Sequence, residues 1–501
     1  TGRPLARARV ALIAASAPGR PLLTSSSNSL GNFELRDVPP GSYFVSASRA
    51  GYLELQYGQR RPRERGTAVT VRDGEIVSRI DIALPRGSVL AGRITDDAGH
   101  PYPGIQVNVW EMRYREGRRL PFPAGGARTD DLGDYRIVGL PPGAYHISAS
   151  SPETWRNEKN ETFGFATTYY ASANAGPPLT IALEVAQQRL DLDVSLAASR
   201  TARVTGRVIR PTGEPMAGEG VALSLTIPGT GLTFVSGTPV STRTAADGGF
   251  ELHDVPPGGY VIRAGARNET AFATVVVSGN VDNILLVPTS GSPVTGMIVT
   301  DEGTEPPFTA SGVRLNLVSD SDRVKPTVRL PAVNNDWTFS LSNVGGPFMF
   351  RVQGLPPGWM LDAVRIGDRD ITDVPFDVPT GGKEVSGLQI VITEKVGKIG
   401  GTVVTADRGA PASDATVVVF SEDEDHWIFG SRLVRSARPA SDGTYTIAGL
   451  PAGNYLVVAR QTMMDGEWES PEFLAAAKPD GVRIELAAGE SSKADVKVKA
   501  P

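Results

Sequence analysis

Five times along the chain one phrase returns: an aromatic residue in an alternating strand, a Pro-Pro-Gly-type turn, then a second aromatic opening another alternating strand. The copies run from Phe33 through Gly41 to Tyr43, from Tyr135 through Gly143 to Tyr145, from Phe250 through Gly258 to Tyr260, and from Tyr445 through Gly453 to Tyr455. A degenerate copy lies between Phe339 and Phe348. A repeat constrains architecture before any local argument does. The lead aromatics stand 102, 115, 89 and 106 residues apart, the length of a whole domain rather than of a solenoid unit. This predicts five domains in tandem, at 1–87, 88–199, 200–290, 291–394 and 395–501.

Within a copy the apolar residues alternate. Tyr145, Ile147 and Ala149 share one face of a strand, as do Tyr43, Val45 and Ala47, or Tyr455, Val457 and Ala459. The prolines preset φ, the turn glycine is expected to supply the freedom that reverses the chain, and the aromatic two residues later folds back over the end of the core. A last alternating strand closes each copy: Ile80–Leu84, Leu190–Leu196, Ile284–Leu286, Leu388–Ile392 and Ala494–Val498. About seven short strands with frequent turns describe an antiparallel β-sandwich, so the fold class is all-β. No segment holds a 3.6-residue period, so helix is expected to be scarce. Junctions such as Arg86–Ser88 and Glu394–Lys395 leave almost no linker, which predicts an extended, stiff rod of about 150–200 Å.

Composition narrows the function. A net charge of −5 with no basic block implies no nucleic-acid partner. No apolar run approaches the roughly 20 residues that span a bilayer. Without cysteine there is no disulfide, thiolate metal site or cysteine nucleophile. The four histidines, His100, His146, His253 and His426, share no ligand spacing, and His146 is read on the outward face of its strand. No nucleophile elbow or Walker loop occurs. The chain is therefore read as non-catalytic and without cofactor. Glu422, Asp423, Glu424 and Asp425 form the one acidic loop able to gather oxygen ligands for calcium, although their spacing fits no loop code and a solvated hairpin is the simpler reading.

The pattern Gly-x-Val-x-Asp-x-x-Gly-x-Pro, then Asp-x-x-Gly-x-Phe-x-Ile-x-x-Leu-Pro-Pro-Gly-x-Tyr, resembles the carboxypeptidase regulatory-like domain. It is carried by Gly92 to Pro101, Gly206 to Pro215 and Gly400 to Pro411 together with the aromatic phrases. The resemblance implies a transthyretin-like sandwich related to the Cna B-type repeats of bacterial surface proteins, and it says little about function. Some of those repeats lock themselves with Lys–Asn isopeptide bonds. Residues 1–86 and 200–290 hold no lysine, and Lys398 is the one tempting position elsewhere.

Two copies depart from the pattern. The fourth has Val344-Gly-Gly-Pro347 where Pro-Pro-Gly is expected, and Leu355-Pro-Pro-Gly358 one strand later, which reads as a variant with an altered hairpin. In the first, Gly2-Arg-Pro4 aligns with Gly99-His-Pro101, so the counterpart of residues 89–95 does not appear. Either it precedes Thr1, or another subunit donates it and the sandwiches polymerise head to tail.

These readings converge on an exported, extracellular or cell-surface protein whose work is mechanical or adhesive, with copies of itself or a surface glycan or protein as partner. The alternatives are a glycan-binding array using exposed rings, with Phe163, Phe165, Tyr169, Tyr170, Trp427 and Trp468 as candidates, or the extracytoplasmic sensing part of a membrane system.

Overall fold

A computed structural model describes residues 2–16, 20–59, 66–115, 117–171, 178–226, 233–234, 240–265, 268–319, 333–461 and 463–499. They fall into two compact units, Thr1–Met112 with Pro121–Ser199, and Arg113–Leu120 with Arg200–Pro501. Strands fill both. Among the described residues no helix is long and apolar enough to cross a membrane.

In the first unit, the strand Ser88–Thr95 organises its sandwich. Asp134–Leu140 pairs with it antiparallel, while Gln188–Arg189 and Val194–Ser195 pair with it parallel. Gly143–Ser150 lies in the facing sheet, between Gln106–Arg115 and Thr168–Tyr169. The period-two residues point between the two layers, where Leu90, Ile94, Val107, Val109, Tyr145 and Ile147 are all fully buried. Most pairs are antiparallel, as the alternation predicts. The parallel ladder joins the first and last strands of the sandwich, a long-range pairing that no turn signal announces.

The second unit repeats this plan. Ala202–Val208 sits between Gly249–Val255 and Val281–Leu286. Ser292–Thr300 sits between Thr338–Val344 and Val385–Thr393. Gly397–Thr405 sits between Thr444–Leu450 and the closing pieces Ser491–Lys493 and Val496–Lys499. The altered fourth copy uses its displaced Pro-Pro-Gly to launch Met360–Ile366, which adds to the free edge of Val385–Thr393 and turns back through Arg369–Asp370.

Among the described residues one short α-helix appears, Pro471–Ala477. Ser470 caps it, its hydroxyl accepting from the Phe473 amide at 3.1 Å, and proline takes the first helical position. Leu474 and Ala477 pack with Val418, Phe420, Trp427, Leu456 and Val458 on the outer face of the sheet. Seven residues are too few for the periodicity that marks a helix in sequence.

Candidate functional site

The repeated phrase builds a latch. In four copies the second aromatic is tyrosine, and its hydroxyl donates to the carbonyl of the first turn proline: Tyr43 to Pro39 at 2.8 Å, Tyr145 to Pro141 at 2.6 Å, Tyr260 to Pro256 at 2.9 Å and Tyr455 to Pro451 at 2.8 Å. Phe348 takes this place in the fourth copy and has no hydroxyl to give. The turn glycine does not reverse the chain, contrary to the sequence reading. Gly258 and Gly453 are extended, and in the Pro-Pro-Gly-type copies the left-handed residue comes four positions before the glycine, at Asp37, Gly139, Asp254 and Gly449; the fourth copy has its own at Asn343, with Gly346 also at positive φ. Gly41 is needed for room instead: a Cβ there would lie 3.0 Å from the Tyr43 hydroxyl.

A second repeated device holds the first and last strands of a sandwich together. Gly92, Gly206, Gly296 and Gly401 stand directly opposite the lead aromatics Tyr135, Phe250, Phe339 and Tyr445. A Cβ on these glycines would fall 2.3, 2.1, 2.0 and 2.0 Å from the closing-strand carbonyls of Leu192, Ile284, Leu388 and Ala494. Where the lead aromatic is tyrosine its hydroxyl binds the same carbonyl, Tyr135 to Leu192 at 2.7 Å and Tyr445 to Ala494 at 2.6 Å. The aspartate that follows in the closing strand accepts the amide after the glycine: Arg93 donates to Asp193 at 2.8 Å, and Thr402 to Asp495 at 2.9 Å.

Hydrogen bonds from Lys493 and Thr402 hold the Asp495 carboxyl down to about 2, below the ordinary value of about 3.9. A depressed carboxylate stabilises the fold above its unfolded value and loses that contribution as pH falls through its folded one. Acid titration from pH 5 to 2 is therefore expected to raise hydrogen exchange at residues 401–405 below about pH 4. Asp495→Asn removes that pH-dependent component.

The first copy has both partners of this device and no strand between them. Residues 33–38 and 76–84 belong to no ladder, while Pro21–Ser26, Arg9–Ala14, Gly41–Ser48, Leu55–Gln56 and Val69–Val71 form its one sheet. Phe33, Leu35, Val38, Ile80, Ile82 and Leu84 touch the core but stay only half-buried. Their counterparts Tyr135, Ile137, Leu140, Leu192, Val194 and Leu196 are at most 4% exposed. An open groove of about 770 Å³ between residues 23–26 and 33–36 borders the same segment. Asp81, the counterpart of Asp193 and Asp495, is exposed and makes no hydrogen bond or ion pair among the described residues.

A buried ion cluster joins residues 349–373 to 432–435. Arg432 clasps the Asp373 carboxylate through two nitrogens, at 2.9 and 3.0 Å, and donates to the Leu361 carbonyl at 2.7 Å. Arg351 reaches the same carboxylate at 3.3 Å and donates to the Thr372 carbonyl at 2.5 Å. Burial pushes the Arg351 guanidinium down to about 10, so it remains charged at neutral pH. Nothing in the sequence pattern marks this cluster, because Arg351 lies in the strand Gly346–Gln353 while Asp373 and Arg432 come from connections, and no spacing relates the three.

The other candidate residues are placed separately. Glu422 pairs with Arg483 at 3.0 Å, Glu424 pairs with Lys478, and Asp423 caps the turn Glu424–His426 by accepting the Asp425 amide. Among the described residues no three His, Asp or Glu side chains converge to hold a metal ion. His146 lies on the face away from Tyr145, as read, but is buried there. Its Nε2 lies 3.0 Å from the Thr180 hydroxyl, on a face it shares with buried Trp110 and Ser148. Lys398 is exposed. Phe165, Tyr169 and Trp427 are core residues, and Trp155, which the sequence reading passed over, is the exposed ring of its hairpin, stacked on Phe163 at 6.3 Å.

Comparison with known proteins agrees with this geometry. The family described as carboxypeptidase regulatory-like domain matches residues 1–85, 89–195 and 398–498. No curated protein matches the chain. Among solved structures, the Bacillus anthracis TIE protein is 10% identical, over 86% of this chain and 79% of that one, with a TM-score of 0.18. A streptococcal ancillary pilin is 11% identical over 61% of this chain and 99% of its own, with a TM-score of 0.24. The shaft pilin SpaA of Lactobacillus rhamnosus GG is 14% identical over 41% and 98%, with a TM-score of 0.15. Superpositions this loose carry no argument about what the chain does.

Proposed function

The chain belongs to the carboxypeptidase regulatory-like domain family, and from that premise we propose that it is a non-catalytic, exported structural or adhesive protein of five tandem sandwiches that assembles with further copies of itself. The observation that carries this reading is the recurrence of the same two devices, the tyrosine latch and the close-approach glycine, from sandwich to sandwich. A head-to-tail contact between different surfaces of two copies does not close on itself, so it propagates into a filament. The latches and close-approach glycines support a mechanical role, since both stiffen the strand ends.

Electron microscopy of the native protein over a range of concentrations tests the proposal. Filaments, or oligomers growing with concentration, are expected. Uniform single particles at every concentration would overturn the assembly reading. They would favour the second reading, a glycan-binding surface, for which Trp155, 38% exposed and backed by Phe163 and Phe165, is the supporting observation.

A further inference from the structure

We infer that the hairpin of residues 153–165 is a binding platform for a neutral pyranose with equatorial hydroxyls, whose apolar C–H face lies on the Trp155 indole. The inference deepens the glycan-binding reading and rests on it, and it does not depend on assembly.

The hairpin is an insertion. In the third copy Gly258–Ala264 leads directly into Glu269–Val277, its neighbour in the sheet. In the second copy Gly143–Ser150 reaches its neighbour Thr168–Tyr169 only after Thr154–Arg156 and Thr162–Phe165, which pair with each other and form a separate small sheet with Ala198–Arg200. A sandwich closes without these residues, and segments that a scaffold does not need are where binding residues concentrate.

One face of the hairpin is aromatic in the middle and polar at both ends. Trp155 stands opposite Phe163 in the ladder, and their rings lie 24° from parallel with centroids 6.3 Å apart. Phe165 meets the indole at 5.0 Å and is itself 4% exposed, within the core of the sandwich. The indole is thus held from the core and is still exposed, and its Nε1–H has no acceptor among the described residues. Period-two alternation puts Glu153 and Asn157 on the face of Trp155, and Glu161 on that of Phe163. Hydrogen bonds position both ends. Tyr102 donates its hydroxyl to Glu153 at 2.8 Å, and the Asn157 side-chain amide donates to Glu161 at 2.9 Å. Tyr102 packs edge-on against Phe165 at 5.1 Å, which ties that polar end to the same ring cluster.

This arrangement selects its ligand by shape and charge. A hexopyranose with equatorial hydroxyls presents axial C–H bonds on its faces and hydroxyls around its rim. Its face removes indole surface from water, while rim hydroxyls donate to the carboxylates and accept from the indole N–H. The near-parallel rings form a flat platform rather than the cage that encloses a quaternary ammonium. The two carboxylates repel an acidic sugar. Because the rings are fixed before the ligand arrives, little ordering opposes binding.

The test titrates the full chain with cellotetraose, a neutral chain of such rings, and follows the tryptophan indole N–H signals by NMR. A saturable shift of the Trp155 signal is expected, with a Kd of about 1 mM. Trp155→Ala is expected to weaken binding about tenfold or more, whereas Trp155→Tyr, which keeps a ring against Phe163 and Phe165, should stay within about threefold of the parent. Cellotetraose with its primary hydroxyls oxidised to carboxylates should bind about tenfold more weakly. Equal binding by Trp155→Ala, or preference for the oxidised sugar, would overturn the inference. A response of the Trp155 signal to a lysine-rich peptide and not to cellotetraose would overturn it too, assigning the ring to cations. A glycan array read with the parent chain and Trp155→Ala separates this failure from that of the wider reading. Array binding that survives the substitution would place glycan recognition elsewhere on the chain, and no array binding by either would remove both.

Discussion

Replacing Asp373 with alanine is expected to destabilise the part of the second unit that contains it by about 3–5 kcal/mol, because it strands two buried cations. Arg432 and Arg351 converge on this one carboxylate, at 2.9 and 3.3 Å, and their side chains are 12% and 11% exposed. A surface pair of the same geometry would contribute little, since water screens it and two long side chains must be held still. Here desolvation has already been met by both guanidiniums, and the carboxylate offsets it. Arg432→Met is expected to cost less than Asp373→Ala, because Arg351 then keeps its partner and the methionine refills apolar space. Denaturant titration read by hydrogen exchange at residues 349–353 and 361–373 separates the two. A loss within about 1 kcal/mol for Asp373→Ala would place the pair among screened surface contacts and refute the burial argument.

Gly296→Val is expected to cost about 3 kcal/mol or more, the upper end for overpacking, because the obstacle is main chain. A Cβ there would lie 2.0 Å from the Leu388 carbonyl and 2.6 Å from the Phe339 ring. The ring has nowhere to turn, since Phe339 is 2% exposed within the core that also holds Leu341, Val344 and Phe348. The two strands must separate, so exchange at residues 294–300 and 385–393 should rise together. Gly99 provides the contrast. It has φ +85 and nothing within 4 Å, so Gly99→Ala there meets only the left-handed backbone penalty, about 1 kcal/mol. Equal effects at the two sites would mean that glycine at position 296 is retained for its backbone freedom and not for the close approach of the closing strand.

Much of this fold is legible residue by residue. Alternation at Tyr145, Ile147 and Ala149 announces a half-buried strand, and all three are fully buried on one face. The aromatic after each Pro-Pro-Gly was read as folding back over the core end, and the tyrosine hydroxyls lie on the proline carbonyls four residues earlier. The left-handed residue was misplaced because two glycines stand near the turn in the second and fifth copies. Only backbone geometry tells which of them reverses the chain. Trp337 illustrates the same limit. It holds φ 62 where Gly133, Gly248 and Gly443 occupy the corresponding turns, at 2% exposure against Phe308. Packing overrides a local preference that a sequence reading must assume.

The candidate sites divide along the same line. The acidic loop Glu422–Asp425 looks like a ligand set in sequence because its members are adjacent, yet adjacent side chains on a turn point apart, and these find Arg483 and Lys478 instead. Asp373 and Arg432 are 59 residues apart and carry no motif, yet they meet in a bidentate pair. The repeated phrase by itself determined the succession of alternating strands and the sandwich, because period-two burial and turn chemistry are local properties. Tertiary structure alone decided that the first and last strands run parallel around a glycine without room for a side chain, and that three largely buried charged groups tie distant segments together. Those outcomes depend on which backbones come within about 3 Å of each other through space, the range over which sterics and hydrogen bonds act and over which sequence separation carries no information.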